Sequence, residues 1–398
     1  MSRTGYFQYN MRTVVHSAVG GIVRLPSLFD GLGGKRVLLV SDQGLKSVGI
    51  VDQIVRVFEN NPCGTTAQLV GVFDGITPDA GSKTVNACLA YAREVAADAI
   101  LAVGGGSVLD AAKGVKYCLH HNLTDIKAAI PAGIKLDMWP AIQPMDIPHI
   151  AVPTTAGTGA EVSAAAVFYN EELGIKINLA VPFIDADIAV LDANLTVGLP
   201  NFLTASTGMD ALTHALEGVC SPAANHFTDA HAFLAAQLIE ENLPKAVANG
   251  KDIDARHTML QASTMAIDAF INALGAIPVH NCAHAFGGLY HVPHGDANAA
   301  LLPVVIELLP EFYLPNAERL AKALNLQPQG TPEETLEKVV HRLRYLQQQI
   351  GCHTNFSKWG VKAEDMEKIL VAISSDPTYM FYPIPQDRMI KIAEAMIG

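Results

Sequence analysis

Four histidines lie close together in the segment VHNCAHAFGGLYHVPHG, which spans residues 279–295. A lone histidine is more often structural than a metal ligand, but four within fifteen residues favour metal chemistry. His280 and His284 fall on one face of a predicted helix, and His294 follows a predicted break at the Val-Pro pair of residues 292–293. The pattern alone does not decide which three of the four histidines would bind an ion.

An aspartate and a histidine occur four residues apart in the upstream segment TGMDALTHALEG, residues 207–218. The segment is predicted to be helical, so Asp210 and His214 point to one face and can share a metal ion. A hydrogen bond between a capping aspartate and a histidine would explain the same spacing. Three imidazoles and one carboxylate suit Fe²⁺ or Zn²⁺ better than Mg²⁺ or Ca²⁺, and an open coordination position would make the ion a Lewis acid.

The segment LAVGGGSVLDAAKG, residues 101–114, is typical of a strand, a glycine turn and a helix. We expect Gly104, Gly105 and Gly106 to allow positive φ angles and a close approach of the backbone to a bulky ligand. Ser107 can cap the helix and donate to a phosphate, and the free amides and dipole of the helix would favour a pyrophosphate. The pattern is not GxGxxG, and a plain tight turn is the alternative.

Other polar residues are candidates for nucleotide contacts. Asp42 ends the predicted strand RVLLVSD, where a carboxylate can bind both hydroxyls of an adenosine ribose and repel a 2′-phosphate. An aspartate in this position is more often a helix cap or a turn residue, which is the alternative. The loop PTTAGTGAE offers Thr154, Thr155 and Thr158 to a sugar or phosphate, or forms an ordinary polar turn. Lys176 could bind a phosphate or ribose; the alternative is an ordinary lysine exposed to solvent.

Two kinds of segment position these residues. The first half alternates strands with helices, which predicts a mostly parallel, doubly wound sheet. The predicted strands are 36–41, 67–73, 99–103 and 149–152, and the predicted helices are 47–59 and 84–97. Beyond residues 198–200 the helical pattern continues, with helices predicted at 227–248, 256–272, 316–324, 331–349 and 363–374. We therefore expect an α/β domain at residues 1–198 and an all-helical domain at residues 199–398.

Composition limits the function classes. The chain has 398 residues, half of them apolar, and a net charge of −12, so it is expected to fold well and to bind neither nucleic acid nor a membrane. No apolar run is long enough to cross a bilayer, and the N-terminus lacks a signal-peptide pattern. The six cysteines are scattered, which favours buried, reduced thiols and a cytoplasmic location.

Five segments together resemble the iron-containing (group III) alcohol dehydrogenases, and the resemblance covers nearly the whole chain. In family order they are GGGSVLDAAK, PTTAGTGAEVS, IAVLDANLTVGLP, TGMDALTHALEG and VHNCAHAFGGLYHVPHG. The resemblance implies the dehydroquinate synthase-like fold, with an α/β dinucleotide-binding domain followed by a helical domain. The chain departs from the family's usual pattern at Asn281-Cys282, at Ala160 and in YMFYPIP at residues 379–385, which leaves the metal set intact and the substrate open.

The resemblance also implies roles for individual residues. The family's metal ligands fall on Asp210, His214, His280 and His294, and its histidine beside the nicotinamide falls on His284. Its nucleotide contacts fall on residues of the expected α/β domain, and we group Asp110 of the glycine segment with them. These residues are Asp42, Gly104, Gly105, Gly106, Ser107, Asp110, Thr154, Thr155, Thr158, Ser163, Val167 and Lys176.

A cytoplasmic, metal-dependent, NAD-linked alcohol dehydrogenase is therefore expected, with Fe²⁺ or Zn²⁺ bound and a primary alcohol or diol and its aldehyde as substrates. We expect a homodimer or larger homo-oligomer. Aromatic residues at Phe286, Tyr290, Phe381 and Tyr382 are expected to narrow the substrate pocket. Two alternatives remain: a metal-dependent lyase of the same fold that keeps NAD as an internal prosthetic group, and a non-enzymatic metal-binding protein, which would leave the glycine segment unexplained.

Overall fold

The computed structural model of the chain describes residues 6–61, 64–137 and 144–397. Cys63, one of the cysteines expected to be reduced, lies outside the described residues. The chain divides into two compact units. The α/β unit comprises Met11–Thr155 and Gly159–Gly198, and the helical unit comprises Met1–Asn10, Ala156–Thr158 and Leu199–Gly398.

A six-stranded parallel sheet forms the centre of the α/β unit. The strands of the unit, in chain order, are β1 (Val14–Ser17), β2 (Arg36–Val40), β3 (Gln68–Phe73), β4 (Ala99–Gly104), β5 (Ile134–Leu136), β6 (His149–Pro153), β7 (Ala165–Asn170), β8 (Ile175–Ala180) and β9 (Ile188–Leu191). The large sheet has the order β1-β9-β6-β4-β2-β3, and each of its pairings is parallel. The predicted doubly wound parallel sheet is therefore confirmed.

Helices cover both faces of this sheet. They are α1 (Leu25–Leu32), α2 (Gln43–Ser47), α3 (Ile50–Asn60), α4 (Ser82–Glu94) and α5 (Gly106–His120). Alternate residues of β2 enter different cores: Leu38 and Val40 pack with α4 and α5, and Val37 and Leu39 pack with α1 and α3. This alternation is the period of two that a strand imposes on its side chains.

One predicted helix of this unit is wrong in its bounds. A single helix was expected over residues 47–59, but the structure has two, because α2 ends at Ser47 and α3 begins at Ile50. Gly49 separates them with a φ of 80°, a left-handed conformation that ends a helix and that glycine adopts without a steric penalty.

A second, three-stranded sheet was not predicted. Its order is β5-β8-β7, with β7 antiparallel and β5 parallel to β8. It places Lys176 in β8, opposite Tyr169 of β7, where the sequence analysis assigned no structure. The burial of β7 alternates residue by residue, which is typical of a sheet with one covered face.

The helical unit contains ten α-helices within the described residues. They are α6 (Asn201–Cys220), α7 (His226–Ala248), α8 (Ile253–Asn272), α9 (Pro278–Tyr290), α10 (His294–Leu308), α11 (Pro310–Tyr313), α12 (Ala317–Ala323), α13 (Pro332–Ile350), α14 (Met366–Ser375) and α15 (Gln386–Met396). Their apolar faces share one core, and α6 is buried along most of its length. The expected fold class, an α/β part followed by a helical part, is confirmed.

No single helix in the described part of the chain has both the length and the apolar composition needed to cross a membrane. The segments His294–Leu308 and Pro310–Ala323 meet that criterion only when they are joined, and they are bent by 84° relative to each other.

Candidate active site

Three helices of the helical unit carry the predicted metal ligands. Asp210 and His214 lie one turn apart on α6, His280 lies in the first turn of α9, and His294 is the first residue of α10. Three of these side chains, those of Asp210, His280 and His294, bring one ligand atom each to within 4.8 Å of one another. Residues from three separate helices therefore meet at one point of the unit.

The predicted break before His294 is present. Helix α9 is followed by His291, whose φ of 55° is left-handed, and Pro293 precedes the first residue of α10. A proline has a fixed φ and no N–H, so it is well suited to the start of a helix and poorly suited to continue one. The break allows His280 and His294, fourteen residues apart, to lie on different helices and still approach each other.

The distances within the group fit a metal ion. Oδ1 of Asp210 lies 3.8 Å from Nε2 of His280 and 3.5 Å from Nε2 of His294. Atoms bound to one tetrahedral ion at about 2.1 Å are roughly 3.4 Å apart, so these separations match ligands of a shared ion. Asp210 and His280 are buried, whereas the side chain of His294 is 25% exposed, which leaves the group accessible from one side.

His214 lies beside this group. Its ring stacks on that of His280, with centroids 4.6 Å apart and 25° between the planes, but its ligand atoms are not among those within 4.8 Å of one another. Nδ1 of His214 is buried and meets no hydrogen-bond partner among the described residues. Burial lowers the pKa of His214 to about 4, although Asp210 acts in the opposite direction. The ring is therefore neutral at pH 7 and keeps a lone pair for a metal.

Glu217 contacts the group and was missed by the sequence analysis. Its carboxylate contacts Nδ1 of His280 and accepts a hydrogen bond of 2.8 Å from the N–H of Val279. Burial raises the pKa of Glu217 to about 8, against the effect of the Val279 N–H, and a cation held nearby would favour the carboxylate form. The sequence contained a signal for Glu217, because Asp210, His214 and Glu217 have the i, i+4, i+7 spacing of one helix face.

Asn298 is a second residue that the sequence analysis missed. Its Nδ2 donates to Oδ1 of Asp210 at 2.7 Å and lies 3.2 Å from Nε2 of His294. Asn298 is fully buried and follows His294 by one helical turn on α10. A polar residue one turn from a candidate ligand was the signal that could have identified it.

His284, the expected proton carrier, pairs with a carboxylate. Its Nδ1 lies 3.2 Å from Oδ2 of Asp376, and Asp376 also accepts a hydrogen bond from the N–H of Thr378 at 2.8 Å. Burial would raise the pKa of Asp376, but His284 and Thr378 bring it below its usual value. The ring of His284 stacks beside that of His294, with centroids 5.6 Å apart. Local spacing could not reveal Asp376, which is 92 residues away in sequence.

In the α/β unit, predicted nucleotide residues gather at the carboxyl ends of the adjacent strands β2, β4 and β6. Asp42 follows β2, Gly104 ends β4, and Thr154 follows β6. The N–H of Thr154 donates to the carbonyl oxygen of Gly104 at 3.0 Å, and Thr155 borders Gly105. This edge is where open α/β sheets bind nucleotides, and the arrangement can hold one.

Asp42 caps α2. Its Oδ1 accepts a hydrogen bond of 2.9 Å from the N–H of Leu45, so the alternative role of Asp42 as a helix cap is confirmed. The cap uses one carboxylate oxygen and leaves the other for a ligand. Lys46, the cation closest to Asp42 in sequence, forms an ion pair with Asp74.

The glycine segment is a strand, a turn and a helix, as predicted. The backbone at Gly104, Gly105 and Gly106 does not adopt positive φ; a Cβ on Gly104 would lie 2.5 Å from the Cβ of Val108, so close packing requires glycine there. Ser107 does not cap α5, because the cap position is Gly105. The hydroxyl of Ser107 instead accepts a hydrogen bond from the backbone N–H of residue 79 at 3.0 Å.

Asp110, Ser163 and Val167 connect α5 to the small sheet. Asp110 accepts hydrogen bonds from Nζ of Lys113 at 3.1 Å and from the N–H of Val167 at 3.0 Å. Lys113, fully buried, also donates to Oγ of Ser163 at 2.9 Å. Both carboxylate oxygens of Asp110 are thus used within the unit.

The last two predicted nucleotide residues are Lys176 and Thr158. Nζ of Lys176 lies 3.1 Å from Oδ1 of Asp79, whose backbone also contacts Ser107, so Lys176 joins the glycine segment through Asp79. Thr158 belongs to Ala156–Thr158, a short segment that is grouped with the helical unit.

The expectation for the aromatic residues was wrong at Phe286. Phe286 is fully buried and packs against Phe356, with ring centroids 4.7 Å apart, so it belongs to the core of the helical unit. Tyr382 packs against Phe312 with centroids 4.6 Å apart. An amphipathic pattern does not distinguish an aromatic core residue from one that lines a pocket.

Comparison with known proteins gives matches along the chain. Residues 13–193 match the family described as iron-containing alcohol dehydrogenase, and residues 204–396 match the C-terminal part of the Fe-containing alcohol dehydrogenase family. The 1,3-propanediol dehydrogenase of Klebsiella pneumoniae is 38% identical over 341 residues, which cover 84% of each chain. The NADPH-dependent butanol dehydrogenase of Clostridium saccharobutylicum is 33% identical and covers 86% of this chain and 85% of its own.

A solved structure agrees with these sequence matches. The crystal structure of a 1,3-propanediol oxidoreductase superposes with a TM-score of 0.88 at 33% identity and covers 98% of this chain and 99% of its own. The matches extend over both units. Their sequence identities, 33% or more, are higher than a shared fold alone would explain. The chain therefore belongs to the iron-containing alcohol dehydrogenase family and is an alcohol dehydrogenase.

Proposed function

We propose that the enzyme is metal-dependent and NAD-linked, and that it interconverts a primary alcohol or diol and its aldehyde. The convergence of Asp210, His280 and His294 from three helices carries the metal part of the proposal. Relatives named 1,3-propanediol dehydrogenase and butanol dehydrogenase support an alcohol or diol as the substrate.

Asp210, His280 and His294, with His214 beside them, would hold Fe²⁺ or Zn²⁺. Such an ion, when bound, supplies Lewis-acid polarisation of a substrate oxygen. One carboxylate provides a negative charge, and neutral imidazoles provide the remaining ligand atoms. Asn298 holds the Asp210 carboxylate in place by its 2.7 Å hydrogen bond.

The edge formed by Asp42, Gly104 and Thr154 would bind the nucleotide, with its pyrophosphate at the start of α5. Bound NAD supplies the hydride acceptor for alcohol oxidation. Family membership does not choose between NAD and NADP, because one relative is named NADPH-dependent. We choose NAD because a ribose bound by the Asp42 carboxylate would bring a 2′-phosphate against a like charge, and because Lys46, the cation closest in sequence, is paired with Asp74.

His284 is proposed to transfer a proton between the site and solvent. Its Nδ1 is held by Asp376, its side chain is 10% exposed, and its ring lies beside that of His294. A histidine held by a carboxylate in this way keeps one tautomer and one orientation, which a proton carrier needs.

The proposal is tested on protein freed of metal and then loaded separately with Fe²⁺ or Zn²⁺. We expect steady NADH production from short primary alcohols and diols with at least one of these ions, and little from the metal-free protein. A lyase that keeps NAD internally would give no net NADH, and a metal-binding protein without catalysis would give no turnover.

The assignment of the metal ligands is tested separately by substitution. His280→Ala and His294→Ala should each lose bound metal and most turnover, while NADH binding, measured by fluorescence, persists. His284→Ala should keep its metal and lose rate. Metal retained at full stoichiometry in both ligand variants would contradict the proposed site.

We also propose a cytoplasmic, homo-oligomeric enzyme. Four of the cysteines, Cys88, Cys118, Cys220 and Cys282, are buried as free thiols, which suits a reducing compartment. Light scattering of the purified protein tests the oligomer, and a mass equal to one chain would contradict it.

A further inference from the structure

Glu217 occupies the third position of the helix face that presents Asp210 and His214. Its side chain is 1% exposed, so the surrounding protein, not water, must satisfy its carboxylate. The mechanism proposed above gives this residue no part, although it lies against one of the candidate ligands.

The carboxylate of Glu217 faces the first turn of α9, where it accepts hydrogen bonds from backbone N–H groups and contacts the ring of His280. Oε1 accepts from the N–H of Val279 at 2.8 Å, and Oε2 contacts Nδ1 of His280. The first amides of a helix have no partner within the helix, and no side chain of residue 277 caps α9. Glu217 therefore ties the start of α9, and with it His280, to α6.

We propose that Glu217 is the positioning residue that sets metal affinity by fixing the tautomer and orientation of His280. With its proton held at Nδ1 by Glu217, His280 presents an unprotonated Nε2 toward Asp210, 3.8 Å away. A ligating histidine whose other nitrogen donates to a carboxylate is both oriented and made more basic. This inference rests on the metal site proposed above.

The contact geometry predicts that glutamine cannot replace Glu217, although its shape is nearly the same. A carboxylate accepts at both oxygens, whereas a carboxamide has one acceptor oxygen and one NH₂ donor. If the Gln oxygen faces Val279, the NH₂ group forces Nδ1 of His280 to accept, and the imidazole proton then occupies Nε2. If the oxygen faces His280, the NH₂ group opposes the N–H of Val279, and a buried donor is left unsatisfied.

The test compares Glu217→Gln with Glu240→Gln in the full-length enzyme. Glu240 is also buried, but it pairs with Arg342 and contacts none of the candidate ligands. Zn²⁺ affinity is measured by competition with a chelator, and the Co²⁺-loaded proteins are compared by visible absorption. We expect Glu217→Gln to bind Zn²⁺ roughly 10- to 100-fold more weakly and to alter the Co²⁺ spectrum. Glu240→Gln should match the wild type in both measurements, and NADH binding should be unchanged throughout.

A shorter carboxylate provides a second variant in case Glu217→Gln does not fold. Glu217→Asp keeps two acceptor oxygens but withdraws them by one methylene, so its Zn²⁺ affinity should also fall, by less than that of the glutamine variant. Wild-type affinity and an unchanged Co²⁺ spectrum in the folded Glu217 variants would overturn the inference. The metal site itself would stand in that case, provided that His280→Ala still loses its metal; if His280→Ala keeps it, the proposed metal site has failed.

Discussion

At the scale of single residues, Asp42 has an observed role as a helix cap and a proposed role as a nucleotide contact, and the structure makes the two compatible. One carboxylate oxygen caps α2 through the N–H of Leu45, and the other remains for a ligand at the carboxyl edge of the sheet. A cap aspartate can be replaced by glycine at a cost of only a few tenths of a kcal/mol, because glycine leaves the helix terminus open to water. Substitution of Asp42 by glycine therefore tests its ligand role with little effect on folding.

Asp42→Gly is expected to let NADP compete with NAD. The substitution removes a charged acceptor for the ribose hydroxyls, which is worth about 1.5–3 kcal/mol, and removes the repulsion of a 2′-phosphate. The ratio of kcat/KM for NADP to kcat/KM for NAD should rise by roughly 10-fold or more. Glu59→Gln, an exposed loss of charge on α3, should leave the ratio unchanged. If Asp42→Gly also leaves it unchanged, Asp42 is a helix cap only.

At the scale of elements, the site depends on how closely α6 packs against its neighbours. Gly208 of α6, two residues before Asp210, faces Leu243 of α7, and both lie in the buried core of the helical unit. A Cβ built at Gly208 would lie 2.3 Å from Cδ1 and 2.8 Å from Cδ2 of Leu243. Since Leu243 is fully buried, it has little room to move away.

Gly208→Ala is therefore expected to destabilise the protein, although alanine favours a helix. Overpacking costs about 1–3 kcal/mol, which exceeds the gain of roughly 0.5–1 kcal/mol in helix propensity. Gly288→Ala on α9 is the matched control, because nothing lies within 4 Å of a Cβ at that position. The melting temperature of the metal-free protein should fall for Gly208→Ala and rise for Gly288→Ala. Shifts of the same sign would contradict the packing argument.

At the scale of the whole molecule, one buried histidine links folding stability to pH. His149, the first residue of β6, is fully buried, and neither ring nitrogen has a hydrogen-bond partner among the described residues. Burial lowers the pKa of His149 well below 6.5, and the charges of Lys116, Lys113 and Arg12 lower it further. Below pH 6.5 the unfolded chain therefore takes up a proton that the folded chain does not, and folding stability is lost as the pH falls.

His149→Leu should remove this acid sensitivity. The variant should therefore become more stable relative to the wild type as the pH falls from about 7.5 to 5.5. Below the pKa of the unfolded chain, the difference between their free energies of unfolding should grow by at most ~1.4 kcal/mol per pH unit. Urea unfolding of the metal-free proteins at each pH measures this difference in the free energy of unfolding. His341→Leu, at a histidine whose side chain is 74% exposed, serves as the control and should show a smaller change. A pH-independent difference for His149→Leu would refute the linkage.

Local sequence determined the elements and the candidate ligands of this protein. The alternation of strand and helix patterns predicted the parallel sheet, and the i, i+4 spacing placed Asp210 beside His214 and His280 beside His284 on their helices. These features could be predicted because helix and strand periodicity is a short-range property of the chain. The break at Val292-Pro293 was predictable for the same reason, since proline acts on its immediate neighbours.

Only the tertiary structure decided which polar groups meet. Glu217 reaches His280 across 63 residues of sequence, and Asp376 reaches His284 across 92. The partner of Ser107, the strand that contains Lys176 and the core position of Phe286 were likewise not predictable from the segments themselves. Spacing along one helix fixes which side chains share a face, but the packing of separate helices and strands determines what that face touches.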